Sequence, residues 1–323
     1  MDSKFEVKLD VASTISSLGN WVPGLKMINR GWAERHLDSE NIKHIAKTRD
    51  QMMELGFPKE AIEDYCSTLF RGLLCRVNRE TVYEFARKQS NDGLDNPDVG
   101  LSWRYRFDQY AGQEFDEELQ LAWAAVLAGE CEEPGSYSFK TMSILADMNA
   151  RDAESFKKVC QWSAGGMDQY GVQQPVIPLL TLDGGNTTYC GGEITYSEVS
   201  RLATLGLVDV GTSMHFPEAA RVVLCIDGVS YQLAGRRGPV EIGGVTFTEY
   251  GDELQKMCSE ETGKAGGLLD YARSILARQG IALEEMTINK ILTERFDEGG
   301  QQAVAMERVG AIPIEEIDSL FSE

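Results

Sequence analysis

Apolar residues recur at helical spacing through most of the first half of the chain, then give way to short alternating runs broken by turn residues. The clearest stretch runs from Glu114 to Gly166 and contains three helices with their starts and stops written out. Asp116 precedes Leu119, Ala122, Trp123, Val126 and Leu127, a stripe at i, i+3, i+4, i+7 and i+8. Glu117 and Glu118 fall in its first turn, where the helix dipole favours negative charge. Gly129 is expected to end this helix as a left-handed cap, and Pro134 to prevent re-entry. Ser136 or Ser138 then caps a second helix that turns Thr141, Met142, Leu145 and Met148 inward. Asn149, with Asp152 three residues on, starts a third, with Ala153, Phe156, Val159 and Cys160 on its apolar side and Lys157 and Lys158 near its negative end.

The flanking regions follow the same logic. Phe5, Val7 and Leu9 alternate with charges, as in an edge strand or an ordered arm. Residues 39–56 read as a helix with Ile42, Ile45 and Met52 apolar and Gly56 closing it. Pro58 opens another, with Ala61, Ile62, Tyr65, Leu69 and Leu73 inward, and a further helix covers Arg79–Lys88. The run from Ser90 to Asp98 carries turn signals throughout and marks a domain boundary. Trp103, Tyr105, Phe107 and Tyr110 suit packing against the three helices better than an aromatic platform. After Gly166, Val176–Leu182 reads as an edge strand or a connector with a proline. Ser197 and Glu198 begin a helix that Gly206 caps, and Leu207–Val210 is a strand. Asp227-Gly228, centred between Arg221 and Leu233, is the strongest hairpin signal of the chain. Val245–Thr248 is a strand leading into a helix at Tyr250–Leu254. Helix, strand, hairpin, helix is the order of a winged-helix-like module. Residues 264–323 read as a helical extension. The expected fold is mainly α with a smaller α+β part. It divides into an N-terminal arm and helical region (1–95), a three-helix domain (96–170), a winged-helix-like module (171–260) and an acidic helical extension (261–323).

Composition narrows the function. With 323 residues the chain can bury a sizeable core, and its apolar and charged fractions are those of an ordinary globular protein. The net charge of −20 opposes sequence-independent contact with nucleic acid, which needs a basic surface. Between Arg106 and Lys140 there are eight acids and no Lys or Arg. Seven cysteines without a C-x-x-C pair suggest free thiols in a reducing compartment, and no signal peptide or spanning run is read, so a cytoplasmic location is expected. Trp21, Leu25, Ile28 and Trp32, with Lys26, Arg30 and Arg35 nearby, raise membrane-surface contact by residues 11–35; the interruptions at Gly19, Pro23 and Gly24 and the anionic remainder argue for a docked helix instead.

The run Trp123-Ala-Ala-Val-Leu-Ala-Gly-Glu130, then Pro134-Gly-Ser-Tyr-Ser-Phe-Lys-Thr141, then Asp152-Ala-Glu-Ser-Phe156, resembles the signature of a bacterial family catalogued as a domain of unknown function. Members carry a W-A-x-x-L-A-G-E block followed by P-G-S-[FY]-S. The similarity extends upstream through Asn41-Ile42 and Trp103–Phe107, and downstream to Leu202–Leu207 and Tyr250–Leu254. The resemblance transfers no catalytic residue. Occurrence of members in bacterial and mobile-element settings implies an association with phage–host conflict.

Candidate chemistry is sparse. His36, Glu40 and His44 stand at i, i+4 and i+8 and would share a helix face as metal ligands, unless Ser39 caps the helix and breaks the register. The glycine-rich runs Asp183–Gly192 and Thr262–Gly267 lack the lysine-bearing helix or strand context of a phosphate cradle. In the winged-helix-like module the candidate recognition helix offers only Arg201, with Arg221, Arg236 and Arg237 around the hairpin as nucleic-acid candidates. Ile314, Ile317, Leu320 and Phe321 form an apolar face on the acidic C-terminal segment, suited to a protein partner or a symmetry mate. No cofactor is expected, and no nucleophile–base pair suggests itself. The leading expectation is a non-enzymatic interaction or regulatory protein that self-associates. A DNA-binding regulator and a metal-dependent hydrolytic effector are the alternatives.

Overall fold

The computed structural model describes residues 14–15, 17–19, 21–22, 36–90, 93–168, 173–182, 187–217, 219, 222–235, 238–285, 291–295 and 302–306. Two compact units divide the chain, Met1–Gly135 and Ser136–Glu323. The readings of residues 4–10, most of 11–35, Arg221, Arg236, Arg237 and the apolar face Ile314, Ile317, Leu320 and Phe321 lie outside the described residues.

The first unit is helical among its described residues: α1 (Ser39–Glu54), α2 (Lys59–Gln89), α3 (Leu101–Ala111) and α4 (Glu117–Glu132). Where the sequence pattern suggests two helices after Pro58, α2 is continuous. Ile62, Cys66, Phe70, Leu73, Val77, Val82 and Ala86 keep one buried stripe through the supposed break. Asp116 caps α4, its carboxylate accepting from the Glu118 and Leu119 amides at 3.0 and 3.2 Å. Gly129 does not end that helix, which continues to Glu132. The last turn has interior work: Glu130 and Cys131 are buried, the Cys131 thiol donates to the Leu94 carbonyl, and Asn96 Nδ2 donates to the Cys131 carbonyl at 2.7 Å. Those contacts also explain why the Ser90–Asp98 region lies within a unit. Leu94 and Val99 are buried, and Arg104 Nη2 bonds the carbonyls of Leu94 and Asn96.

Of the aromatic residues expected to pack, Trp103, Phe107 and Tyr110 do so, while Tyr105 is exposed. Trp103 stacks on Phe107 (5.3 Å), Phe107 meets Trp123 edge-on (5.6 Å), and Tyr110 stacks on Trp123 (5.9 Å). The end of α3 lies so close to α2 that a Cβ on Gly112 would stand 3.0 Å from the Cys75 carbonyl oxygen, and the Gly112 carbonyl takes a hydrogen bond from buried Asn78.

The second unit mixes helices with a sheet. α5 (Phe139–Asp147) and α6 (Ala150–Gln161) begin at Ser138 and Asn149, and the capping box between Asn149 and Asp152 is formed. There follow β1 (Ser163–Asp168), β2 (Gln173–Pro178), β3 (Thr188–Tyr189), β4 (Ile194–Thr195), α7 (Tyr196–Leu205), β5 (Val208–Val210) and β6 (Met214–Phe216). Next come β7 (Val222–Ile226), β8 (Val229–Ala234), β9 (Val240–Ile242), β10 (Val245–Phe247) and α8 (Glu249–Gln255). A 3-10 segment (Lys256–Glu261), α9 (Leu268–Ala277), β11 (Ala282–Glu285), β12 (Ile291–Arg295) and β13 (Gln302–Met306) complete the described order.

Asp227 and Gly228 both have positive φ (48° and 73°), which makes the β7–β8 connection a type I′ turn and matches the right-handed twist of the strands. That hairpin lies inside a five-stranded antiparallel sheet of order β11-β8-β7-β1-β2, with proline-bearing β2 on the edge. β5, the strand after α7, pairs instead with β10. The helix, strand, hairpin and helix thus follow in the expected order, while hairpin and strand belong to different ladders. The expected helical extension is corrected. Gly280 (φ 74°) closes α9, and Ile281 and Leu283 are buried while Ala282 and Glu284 are exposed, a period of two that places β11 beside β8. Residues 291–295 and 302–306 form a second antiparallel pair. The described structure is therefore mainly α with a smaller β part.

Candidate functional site

Among the described residues, α6 carries polar bridges to α7 and to the 3-10 segment. At its first turn, Asp152 closes the capping box and also receives Arg201 of α7 in a bidentate pair, Nε to Oδ1 and Nη2 to Oδ2, each 3.1 Å. Burial would raise the Asp152 carboxyl, but the Arg201 hydrogen bonds and the Asn149 amide hold it below the ordinary aspartate range. Further along α6, Lys158 Nζ lies 3.4 Å from Glu198 Oε1. Glu198 closes the α7 capping box with Thr195, and its carboxyl is held low against burial by the Thr195 bonds and then by Lys158. Arg201, a nucleic-acid candidate on sequence grounds, is thus committed to an internal carboxylate.

The far end of α6 meets the 3-10 segment. Lys157 Nζ pairs with Glu261 Oε1 at 3.3 Å, Gln161 Nε2 donates to Glu261 Oε2 at 2.9 Å, and the Ala265 amide donates to the Gln161 carbonyl at 3.2 Å. Cys160, beside these bridges, is fully buried, and burial pushes its thiol well above the usual range. The same packing accounts for the Thr262–Gly267 loop. The amides of Thr262, Lys264 and Ala265 go to the carbonyls of Cys258, Glu261 and Gln161, so they are spent on the fold rather than presented to a phosphate.

The signature block resolves into fold contacts. Trp123 is at the centre of the aromatic packing. Glu130 is buried and accepts from the Gly135 amide at 2.8 Å, which binds the turn after α4 back onto the helix; Gly135 has φ 94°. Ser138 caps α5 by accepting from the Thr141 amide at 3.2 Å. Glu253 of α8 accepts from the Ser138 amide (2.7 Å) and the Thr141 hydroxyl, placing a carboxylate at the positive end of α5. Glu253 carries no distinguishing sequence signal, since only its position on a helix is legible there. Among the described residues, the buried Trp123 Nε1 and Tyr189 Oη have no hydrogen-bond partner.

The candidate ligand triplet is separated. Asp38 caps α1 by accepting from the Glu40 amide, so His36 precedes the helix that carries Glu40 and His44, and Glu40 pairs with Lys43 at 3.5 Å. Among the described residues no group of three or more His, Cys, Asp or Glu side chains is placed to hold a metal ion. Nor, among those residues, is any helix long and apolar enough to cross a membrane.

Residues 75–265, more than half of the chain, match the family model described as "Protein of unknown function (DUF2806)", and the chain belongs to that family. The match begins within α2 and runs past the 3-10 segment, taking in the helices and turns that the signature block punctuates. No curated protein and no solved structure matches the chain.

Proposed function

We propose that this is a non-enzymatic interaction protein that self-associates or holds a protein partner through the outer face of α3. The observation that carries this is the exposure of Leu101 (86%) and Tyr105 (67%) on that helix. They stand at i and i+4, side by side on a helix, while Trp103, Phe107 and Ala111 fill the opposite, buried face. An isolated exposed apolar residue is unremarkable, but two large ones stacked on the solvent side of an 11-residue helix match the composition of an interface core. The surplus of carboxylates suits a basic rim on whatever covers them.

The test is light scattering and affinity purification of the full chain beside the Leu101→Asp/Tyr105→Asp double variant. The wild type is expected to run above the mass of one chain or to retain a stoichiometric protein. The variant, with unchanged circular dichroism, is expected to lose either. A monomer that retains nothing would sink the reading, as would metal-dependent cleavage of nucleic acid by the purified protein.

A further inference from the structure

We propose that the turn between α1 and α2 is a docking tip for a protein segment that presents an apolar helix face bordered by lysine or arginine. Residues 53–61 are exposed throughout and include Met53, Leu55 (76% exposed) and Phe57 (49%). Ala61 and Tyr65, exposed at i and i+4, continue the apolar surface along the start of α2. Large apolar side chains gathered at one corner differ from the isolated ones that any surface carries.

The backbone fixes them in place. Gly56, at φ 77°, follows α1 in the left-handed conformation. Its amide donates to the Met53 carbonyl (3.0 Å), and the Phe57 amide donates to the Met52 carbonyl (3.1 Å). These two bonds make a Schellman motif, and Pro58, with φ −56°, follows directly as the N-cap of α2. Met52 packs against the core cluster that includes Ile42, Ile45 and Ile62, so both helices are anchored behind the turn. Leu55 and Phe57 therefore stand on a preorganised loop, and a partner that covers them does not have to order it first.

Charge selects the occupant. Glu54, Glu60 and Asp64 are exposed among these apolar side chains. Lys59 is the one base from Met53 to Tyr65, and it is paired with Glu63 at 3.3 Å. A second copy docking tip to tip would bring like charges together, and an anionic lipid surface or a nucleic acid would be repelled in the same way. A basic amphipathic helix meets both requirements: its apolar face covers Leu55 and Phe57, and its cations meet the three carboxylates. This surface is distinct from the outer face of α3 and does not depend on it.

The test is fluorescence anisotropy of the full chain with a labelled synthetic amphipathic helix of leucine and lysine, beside the same peptide with glutamate in place of lysine. The lysine peptide is expected to bind saturably, to weaken as salt rises, and to protect the amides of residues 52–65 from hydrogen exchange. The glutamate peptide is expected not to bind. Leu55→Ser/Phe57→Ser, with unchanged circular dichroism, should weaken binding by about tenfold or more. Leu101→Asp/Tyr105→Asp should bind the peptide as the wild type does, so loss of the α3 interface and loss of this one are told apart. Should the serine variant fold poorly, the exchange map of the wild type decides. Absence of binding, equal binding by the serine variant, or protection that falls outside residues 52–65 overturns the proposal.

Discussion

Asp152 serves two helices at once. It completes the capping box of α6 and receives both guanidinium donors of Arg201 from α7, with 6% of its side chain exposed. Removing the arginine leaves that carboxylate with its cap bond alone. Arg201→Ala is expected to lower the urea midpoint, by less than the loss of a fully buried partner would, because the arginine is half exposed. The sign with pH follows from the lowered carboxyls of Asp152 and Glu198. Both are more acidic in the folded chain than in the unfolded one, so their stabilisation is complete above the ordinary carboxylate range, about 4, and is lost as pH falls through the folded values. Asp252, whose carboxyl is raised by burial, works in the opposite direction and offsets part of the loss. Denaturation of wild type beside Asp152→Asn isolates one contribution: the gap between their midpoints should be widest near neutral pH and close as pH falls through the lowered folded-state titration of Asp152. A gap independent of pH would mean that the carboxylate charge is not what Arg201 recognises.

At the scale of elements, two glycines give opposite expectations. Gly251 sits in α8 where a Cβ would come within 2.0 Å of the Leu207 carbonyl oxygen, the same oxygen that accepts from the Thr248 amide beside β5. Backbone cannot yield there as a flexible side chain would. Gly251→Ala should therefore unseat α8 and cost more than about 3 kcal/mol. Gly72 lies exposed within α2 with nothing within 4 Å of where a methyl would stand, so Gly72→Ala should gain about 0.5–1 kcal/mol through helix propensity. Chemical denaturation of the two variants in parallel checks both signs. The starts of α4, α5 and α6 were legible because an N-cap is local: Asp116, Ser138 and Asn149 reach only their own first turn, whereas α7, expected to begin at Ser197, is capped two residues earlier by Thr195. The end of α4 was not legible, because Gly129 alone says stop while Glu130 and Cys131, with partners beyond their own turn, say continue. The strand at Ala282–Glu285 was missed for a like reason. Its short run carries both periods, and the open edge of β8 decides between them.

For the whole molecule, the division after Gly135 predicts that residues 136–323 expressed alone give a cooperative thermal transition with mixed helix and sheet dichroism. Residues 1–135 should give a helical spectrum. Absence of a cooperative transition in the second fragment would mean that the units are not separately stable. The family match, residues 75–265, covers parts of both units.

By itself the sequence determined what depends on neighbours in the chain: helix starts, the Asp227-Gly228 turn, the aromatic interior around Trp123, and the family. These follow from local sterics, capping and amphipathic spacing, which a string of residues displays directly. Only the tertiary structure decided which distant side chains pair. Arg201 bonds the Asp152 carboxylate from another helix, Glu130 accepts from the Gly135 amide that ties back its turn, and Glu253 of α8 accepts from the start of α5. The physical reason is the same in each case. A side-chain pairing between distant positions is set by how elements pack, and that packing leaves no periodicity in the sequence to read.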